Sequence, residues 1–440
     1  MLNTLNPLRN ALALLMFGCC YTGAVSAATA TQDDAAQNVS ISRVEHGLSS
    51  LVVAKGASAQ KMNLVDRMHY YRVPAVSIAV VNNGRIEWAR AYGANIAGKD
   101  GTEGAQSTTP TTLFQAASIS KSLTALAALH LVEQGKLQLD GDINNQLHSW
   151  KLPDNEFTKE HKVSLRQLLN HSGGINVHGF KGYADGQPLP DLLAVLNGVA
   201  PSNTDAIRVE AVPGNQWSYS GGGYTIAQLM MIEASEQDFP QLLQQTLFSP
   251  LDMQHSFFAQ TLPAEARSNA AAGHNENGAA ITGLWHQNPE LAAAGLWTTA
   301  TDLAKVIIEV QKSAAGTSNK ILSADMTKTM LTRLLGETGL GFFVEQLPDR
   351  ISFSHSGGNE GFRSQLYGYT QTGQGAVVLT NGDNGAALIK EILASISAEY
   401  DWPEFKDRKV SCLNEALNNS TLSSYAKRNS TLPDARLKPI

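Results

Sequence analysis

The chain has 440 residues, and its 33 lysine and arginine residues against 39 acidic residues give a formal net charge of −6 at pH 7. This mild acidity, with basic residues scattered along the chain, argues against a nucleic acid as partner. A chain of this length can bury a large hydrophobic core. Beyond the N-terminus no segment is apolar for long enough to cross a bilayer, so we expect no transmembrane segment in the mature chain.

The first 27 residues have the pattern of a secretory signal peptide. Arg9 is their only charge, an apolar run follows it, and small residues at the end offer a cleavage site. A lipoprotein acylated on Cys19 or Cys20 is the less favoured alternative, because bulky residues precede these cysteines. After cleavage only Cys412 would remain. We therefore expect a periplasmic or secreted protein that depends on its core and has no internal disulfide.

The chain after this signal predicts first a helix and then a β-hairpin. Residues 32–56 are polar and give no assignment. A helix is predicted over residues 62–71, before Pro74 ends it. Residues 75–81 then alternate at period two, a turn of two asparagines and a glycine follows, and residues 85–93 return as the second strand.

The middle of the chain, from about residue 122 to residue 338, has a helical pattern with long polar or glycine-rich connections. Its clearest helices are predicted at residues 164–169, 224–234 and 301–312. Later strands are predicted at residues 339–344, 351–355, 362–369 and 376–380, with a last helix at 386–400.

Strands near both ends with helices between them predict an α/β fold of the α+β type. One antiparallel sheet would form from about residues 75–93 and 339–400, flanked by helices and interrupted by an inserted all-helical region. We expect one domain, residues 28–408, to contain all of these elements. Residues 409–440 form a polar C-terminal tail to which the sequence assigns no fold.

Ser118 and Lys121 stand at the start of a nearly all-apolar helix that is predicted to end at Gly135. Residues three apart share a helix face, so the hydroxyl and the amine can meet. The positive end of the helix dipole stabilises an anion beside the serine. A serine next to a basic lysine in a dry place is one way to make a nucleophile. Two other Ser-x-x-Lys spacings, at Ser58 and Ser424, lie in polar segments and open no buried helix.

Two glycine-rich segments supply further candidates. Residues 213–224 place Tyr219 in a turn before a helix, where a phenol beside an ammonium could shuttle protons. Residues 354–362 end one strand and begin another, and their glycines allow a substrate backbone to pair with the strand edge. His355 in this segment could give a positive or hydrogen-bonding group to an anionic substrate.

The three motifs are Ser118-x-x-Lys121, Tyr219-Ser220-Gly221 and His355-Ser356-Gly357. Their order and rough spacing resemble those of the serine β-lactamase and penicillin-binding-protein superfamily. The chain looks most similar to the branch that contains class C β-lactamases, DD-peptidases, D-aminopeptidases and β-lactamase-like esterases. Residues 166–175, 294–303 and 361–363 resemble the same branch, and the similarity extends over about residues 64–405.

This resemblance implies a β-lactamase/transpeptidase-like fold and a role for each motif residue. Ser118 would be acylated, with Lys121 and Tyr219 handling its proton in an order that the sequence leaves open. The backbone N–H groups of Ser118 and Gly358 would form the oxyanion hole. The residues that would bind substrate are Gly221, His355, Ser356 and Gly357. No cofactor and no metal are implied.

Two positions depart from the pattern of class C β-lactamases, which carry asparagine at the place of Gly221 and lysine at the place of His355. The asparagine side chain binds a substrate amide in that family, so its loss argues against efficient β-lactam hydrolysis. We therefore predict a D-Ala-D-Ala carboxypeptidase or another D-stereospecific peptidase acting through a Ser118 acyl-enzyme. A β-lactamase or a small-ester carboxylesterase is the alternative of the same fold, and a non-catalytic sensor of cell-wall peptides or penicillin is the alternative of another class.

Other interpretations of the sequence lack a residue or a motif that they require. Residues 171–174 repeat the letters His-Ser-Gly-Gly of the third motif, but they precede Tyr219 and receive a structural role. No strict G-x-S-x-G supports a Ser-His-Asp α/β hydrolase. A glycine-rich stretch at residues 93–99 is followed by Asp100, where a nucleotide-binding loop needs Ser or Thr. No H-E-x-x-H occurs, and one mature cysteine makes no thiolate zinc site.

Overall fold

The computed structural model describes residues 32–50, 60–96, 106–347 and 349–403. The predicted signal peptide and the polar tail lie outside these residues. Within the described ranges, no helix combines the length and the apolar character that a membrane span requires.

The elements alternate between a sheet formed from distant segments and a mainly helical middle. The helices are α1 (Gln32–Glu45), α2 (Leu64–Tyr71), α3 (Ile119–Glu133), α4 (Leu165–Leu169), α5 (Leu192–Asn197), α6 (Gly221–Ser235), α7 (Phe239–Leu243), α8 (Leu291–Ala294), α9 (Ala300–Ala314), α10 (Ala324–Met330) and α11 (Gly385–Glu399). The strands are β1 (Ala75–Asn82), β2 (Arg85–Gly93), β3 (Phe114–Gln115), β4 (Phe257–Phe258), β5 (Leu296–Thr298), β6 (Phe343–Leu347), β7 (Arg350–Asn359), β8 (Phe362–Tyr369) and β9 (Gly375–Thr380). Short 3-10 helices cover Ile143–Asn145 and Ala264–Asn269, and a π-helical turn covers Gln244–Phe248.

Six strands form one antiparallel sheet in the order β2-β1-β9-β8-β7-β6. β1 joins the N-terminal hairpin to the C-terminal strands, because it pairs with β9 from Val76 opposite Thr380 to Val81 opposite Gly375. The predicted antiparallel sheet from the two ends of the chain is therefore confirmed.

Helices cover both faces of this sheet, and β1 is buried on both. Val76, Ile78 and Val80 belong to a hydrophobic cluster with α1, α2 and α11. Ala75 and Ala79, on the opposite face, belong to the larger cluster that contains α3, α6 and α9. Because successive side chains of a strand point to opposite faces, the alternation in β1 supplies one residue set to each core.

The inserted region is mainly helical, with one difference from the prediction. β3, β5 and β4 form a small antiparallel sheet, with Phe114 opposite Thr298 and Phe257 opposite Trp297. Strands of two or three residues are too short to show a period-two pattern, so they were not predictable from the sequence. This small sheet adjoins α3, because β3 ends three residues before Ser118.

Candidate active site

Ser118 lies at the N-terminal end of α3, where the chain turns from β3 into the helix. Ala117, the residue before it, is buried and has φ +50°, a backbone region that non-glycine residues rarely adopt. The Ser120 hydroxyl donates to the Ala117 carbonyl at 2.6 Å and accepts the Leu296 N–H at 3.1 Å. The turn that presents Ser118 is thus held by the neighbouring strand β5, which allows a strained residue to persist.

Lys121 lies one turn further along α3, and its amine contacts the serine as the three-residue spacing predicted. Its Nζ is 3.1 Å from Ser118 Oγ and donates to the Ala293 carbonyl at 2.8 Å. The residue is only 2% exposed. A buried lysine amine that contacts a serine hydroxyl and one backbone carbonyl is positioned to exchange a proton with that hydroxyl.

Tyr219 comes from a different part of the chain, in the turn that leads into α6. Its ring centroid is 5.1 Å from Lys121 Nζ, and the side chain is half-buried. Ser220, the next residue, caps α6 by accepting the Gly223 N–H at 3.0 Å. The structure therefore brings the predicted serine, lysine and tyrosine together, although about one hundred residues separate the first two from the third.

His171 packs against the Tyr219 ring, in line with the structural role predicted for residues 171–174. The two rings are 4.3 Å apart between centroids, and His171 Nδ1 accepts the Ser220 N–H at 3.1 Å. Burial, followed by the positive charge of Lys121, holds the pKa of His171 well below its ordinary value. The imidazole is therefore neutral, as the accepted hydrogen bond requires.

His355 is buried beside Tyr219, with ring centroids 6.3 Å apart. Its Nδ1 lies 2.7 Å from the Ser356 carbonyl. Burial and, next, the charge of Lys121 lower the pKa of His355 to about 3. Of the two roles predicted for this histidine, the structure favours the hydrogen-bonding one, because a neutral ring supplies no positive charge.

The second half of β7 leaves one strand edge open toward the site. β6 pairs with β7 only as far as Ser354, whereas β8 pairs with it as far as Asn359. Asn359 and Phe362 flank a two-residue turn, so they form a hydrogen-bonded pair. By alternation, the N–H groups of Ser356 and Gly358 point away from β8, toward the open edge.

Gly357 lets β7 approach the turn before Ser118. A Cβ at this position would lie 2.2 Å from the Ala116 carbonyl oxygen and 2.3 Å from Ser364 Oγ. Only a glycine fits this contact, in which β7 lies against Ala116, two residues before Ser118. The Ser118 N–H itself donates to no acceptor in the described part of the chain, so it remains available to a ligand.

An aromatic ring that was not predictable from the sequence fills the space beside Gly221. A Cβ on Gly221 would lie 2.8 Å from Phe180 Cε2. Gly221 N–H donates to the His178 carbonyl at 3.0 Å, and the His178 ring is 4.9 Å from the Tyr219 ring. An asparagine at position 221 would have to displace Phe180, so the space for an amide-binding side chain is filled.

Two further aromatic residues, Trp217 and Phe343, border the site and belong to none of the three motifs. The Trp217 and Phe343 rings are 6.3 Å apart, and Phe343 lies 6.5 Å from Tyr219 in a nearly parallel orientation. Trp217 Nε1 donates to Thr338 Oγ1 at 2.8 Å. Trp217 comes from the turn before α6 and Phe343 from the start of β6, so only their spatial contact identifies them. In the described residues, no three His, Cys, Asp or Glu side chains gather as a metal-ion site would require.

Comparison with known proteins gives this arrangement a family. The family model described as Beta-lactamase matches residues 62–396. A curated relative, the putative penicillin-binding protein PbpX of Bacillus subtilis, is 28% identical over 283 residues, which cover 63% of this chain and 64% of that protein. The chain thus matches slightly less than two thirds of that relative's length.

Solved structures share the fold at low sequence identity. The octameric penicillin-binding protein homologue from Pyrococcus abyssi has a TM-score of 0.60 and 23% identity, covering 73% of this chain and 72% of that one. The D-amino acid amidase from Ochrobactrum anthropi SV3, complexed with L-phenylalanine amide, has a TM-score of 0.59 and 20% identity, covering 76% and 96%. The chain therefore belongs to the Beta-lactamase family, in the superfamily of serine β-lactamases and penicillin-binding proteins.

Proposed function

We propose that Ser118 is the nucleophile of an acyl-enzyme mechanism, with Lys121 and Tyr219 as its proton-handling partners. The observation that carries this proposal is the 3.1 Å contact between Lys121 Nζ and Ser118 Oγ at a lysine that is 2% exposed. The position of the Tyr219 ring, 5.1 Å from the same Nζ, supports a proton path toward a leaving group.

In this reaction Ser118 Oγ attacks the carbonyl carbon of an amide, and its proton passes to Lys121 or Tyr219. The bond from Oγ to the carbonyl carbon forms, the C–N bond breaks, and Tyr219 delivers a proton to the leaving nitrogen. Water then attacks the resulting ester, Ser118 regains its hydroxyl proton, and the carboxylic acid departs.

The backbone N–H groups of Ser118 and Gly358 form the oxyanion hole in this proposal. The free Ser118 N–H and the outward direction of the Gly358 N–H support it. Each such donor typically contributes about 3–4 kcal/mol of transition-state stabilisation.

We assign the substrate class to small peptides or amides of D-amino acids. The D-Ala-D-Ala carboxypeptidase predicted from the sequence is one form of this activity, and an amidase or aminopeptidase is the other. The names of the relatives, a putative penicillin-binding protein and a D-amino acid amidase, support the class. The Phe180 ring beside Gly221 disfavours a β-lactamase, since no side chain there can bind the substrate amide. Export through the predicted signal peptide would bring the enzyme to cell-wall peptides.

The test is a substrate panel on the full chain: D- and L-alaninamide, acetyl-D-alanyl-D-alanine, p-nitrophenyl acetate and benzylpenicillin. We expect hydrolysis of at least one D-substrate or of the ester, and loss of about 10⁴-fold or more in Ser118→Ala. Ser122→Ala is the matched control, because its hydroxyl sits on the same helix but donates to the Gly341 carbonyl. Full activity of Ser118→Ala would refute the nucleophile, and stable acylation without turnover would favour the sensor.

A further inference from the structure

His355, Phe343 and Tyr219 form one wall of the cleft, and this wall has a definite hydrogen-bonding character. The Phe343 and His355 ring centroids are 5.4 Å apart, and the Tyr219 and His355 centroids are 6.3 Å apart. The Phe343 ring presents apolar surface, and the Tyr219 hydroxyl is the proton donor of the proposed reaction. His355 Nε2 is the remaining polar side-chain atom of this wall.

The tautomer of His355 follows from its neighbour in the chain. Nδ1 lies 2.7 Å from the Ser356 carbonyl oxygen, which can only accept, so Nδ1 carries the proton. Nε2 then has a lone pair and acts as an acceptor. It is buried and has no hydrogen-bond partner among the described residues. A buried acceptor without a partner favours a ligand that donates to it.

A carboxylate facing Nε2 would meet a lone pair instead of a cation. Moving the proton from Nδ1 to Nε2 would set the Nδ1 lone pair against the Ser356 carbonyl at the same 2.7 Å. Adding a second proton is opposed by burial and by the charge of Lys121. The ammonium of Lys121 is itself 2% exposed and already contacts Ser118 Oγ and the Ala293 carbonyl.

We propose that the leaving-group side of this cleft selects a hydrogen-bond donor, such as a carboxamide N–H or an ammonium group, and rejects a free carboxylate. This inference rests on the proposed function, in which Tyr219 delivers a proton to the leaving nitrogen, because His355 and Phe343 lie on the Tyr219 side of the cleft. Among the D-stereospecific activities it favours amidase or endopeptidase-like cleavage over a carboxypeptidase.

Two compounds with the same scissile bond test it: acetyl-D-alanyl-D-alanine and acetyl-D-alanyl-D-alaninamide. Their dissociation constants are measured by calorimetry on the Ser118→Ala chain, which needs no turnover, and their kcat/KM values on the wild-type chain. We expect the amide to be favoured about ten-fold or more in affinity. Equal affinity, tighter binding of the acid or no binding of either compound would overturn the inference. Absence of hydrolysis alongside an intact affinity difference would instead count against the proposed reaction.

A charge substitution at His355 provides a second test of this inference. His355→Lys supplies the missing cation, and we expect it to shift the affinity ratio toward the acid by about ten-fold. His178→Lys is the matched control, because it adds the same charge at an exposed ring on Tyr219 and should leave the ratio unchanged. An equal shift in both variants would contradict a specific role of His355. If His355→Lys does not fold, His355→Gln, whose amide can donate as well as accept, should still reduce the preference.

Discussion

At the scale of single residues, Glu290 is a buried carboxyl whose charge the fold does not stabilise. The side chain is fully buried, and neither carboxylate oxygen has a hydrogen-bond partner in the described part of the chain. Burial raises the pKa of Glu290 from 4.5 to about 7. The residue directly precedes α8, whose Ala293 carbonyl holds the Lys121 amine. Near neutral pH, a partly charged carboxyl therefore lies at the start of the helix whose carbonyl holds the Lys121 amine.

This pKa predicts a pH-dependent stability difference between the wild type and Glu290→Gln. The native carboxyl binds its proton up to about pH 7, and the unfolded one only up to about 4.5. Protonation of the native carboxyl therefore stabilises the fold fully below pH 4.5, and this stabilisation is lost as the pH rises through about 7. We expect the stability of Glu290→Gln relative to wild type to grow by roughly 3 kcal/mol between pH 4 and pH 8. Urea unfolding at both pH values measures it, and a constant difference would contradict the assignment.

Residues with a motif were predictable from the sequence, whereas residues that act through contact alone were not. The three-residue spacing on one helix predicts that Ser118 and Lys121 meet, because helix geometry fixes the distance. Phe180 was not predictable, because its position beside Gly221 depends on how a loop crosses the start of α6. The neutral state of His355 was equally hidden, since it follows from burial and from the charge of Lys121.

At the scale of elements, the approach of β7 to the turn before α3 sets the geometry of the cleft. This approach depends on Gly357, where any Cβ would overlap the Ala116 carbonyl oxygen. The open half of β7 and the Ser118 N–H then border the same space. A shift of either element would separate the two proposed oxyanion donors, and misplacement by about 1 Å typically costs about 10²-fold in rate.

Gly357→Ala should therefore move β7 away from Ser118. We expect a loss of about 1–3 kcal/mol in the free energy of unfolding and a fall of about 10²-fold in kcat/KM. Gly358→Ala is the control for stability, because its added Cβ would meet Arg363 Cδ at an ordinary 3.5 Å. Urea unfolding and steady-state kinetics measure both quantities, and equal stability of the two variants would contradict the close approach.

Elements with a local sequence signal were predicted accurately, whereas elements that depend on distant contacts were not. The hairpin β1–β2 matches its predicted bounds within one residue, because its alternation and its turn are local signals. The sequence does not predict α1, because its contacts come largely from partners distant in sequence, such as Ser395, whose hydroxyl donates to the Val44 carbonyl at 2.7 Å. β6 begins at Phe343 rather than at residue 339, because Gly341 N–H donates to the Leu169 carbonyl before the strand starts.

At the scale of the whole molecule, contacts between distant segments hold the two halves of the sheet in register. Arg67 on α2 forms a buried ion pair with Glu391 on α11, at 2.6 Å. Asn381, which follows β9, accepts the Ala75 N–H at 2.7 Å. The site lies between this sheet and the helical insertion, so the position of Ser118 relative to His355 depends on the complete fold. This is why the sequence identified the three motifs but not Phe180, which packs beside Gly221.

Trapping the acyl-enzyme tests the proposed role of Ser118 most directly. The wild-type chain is mixed with excess p-nitrophenyl acetate, quenched in acid within the first turnovers, and its peptides are weighed. We predict one added acetyl group on the peptide that contains Ser118, and none in Ser118→Ala. Release of p-nitrophenol with an unmodified Ser118 peptide, or an acetyl group on another residue that turns over at the same rate, would contradict the assignment of Ser118 as nucleophile.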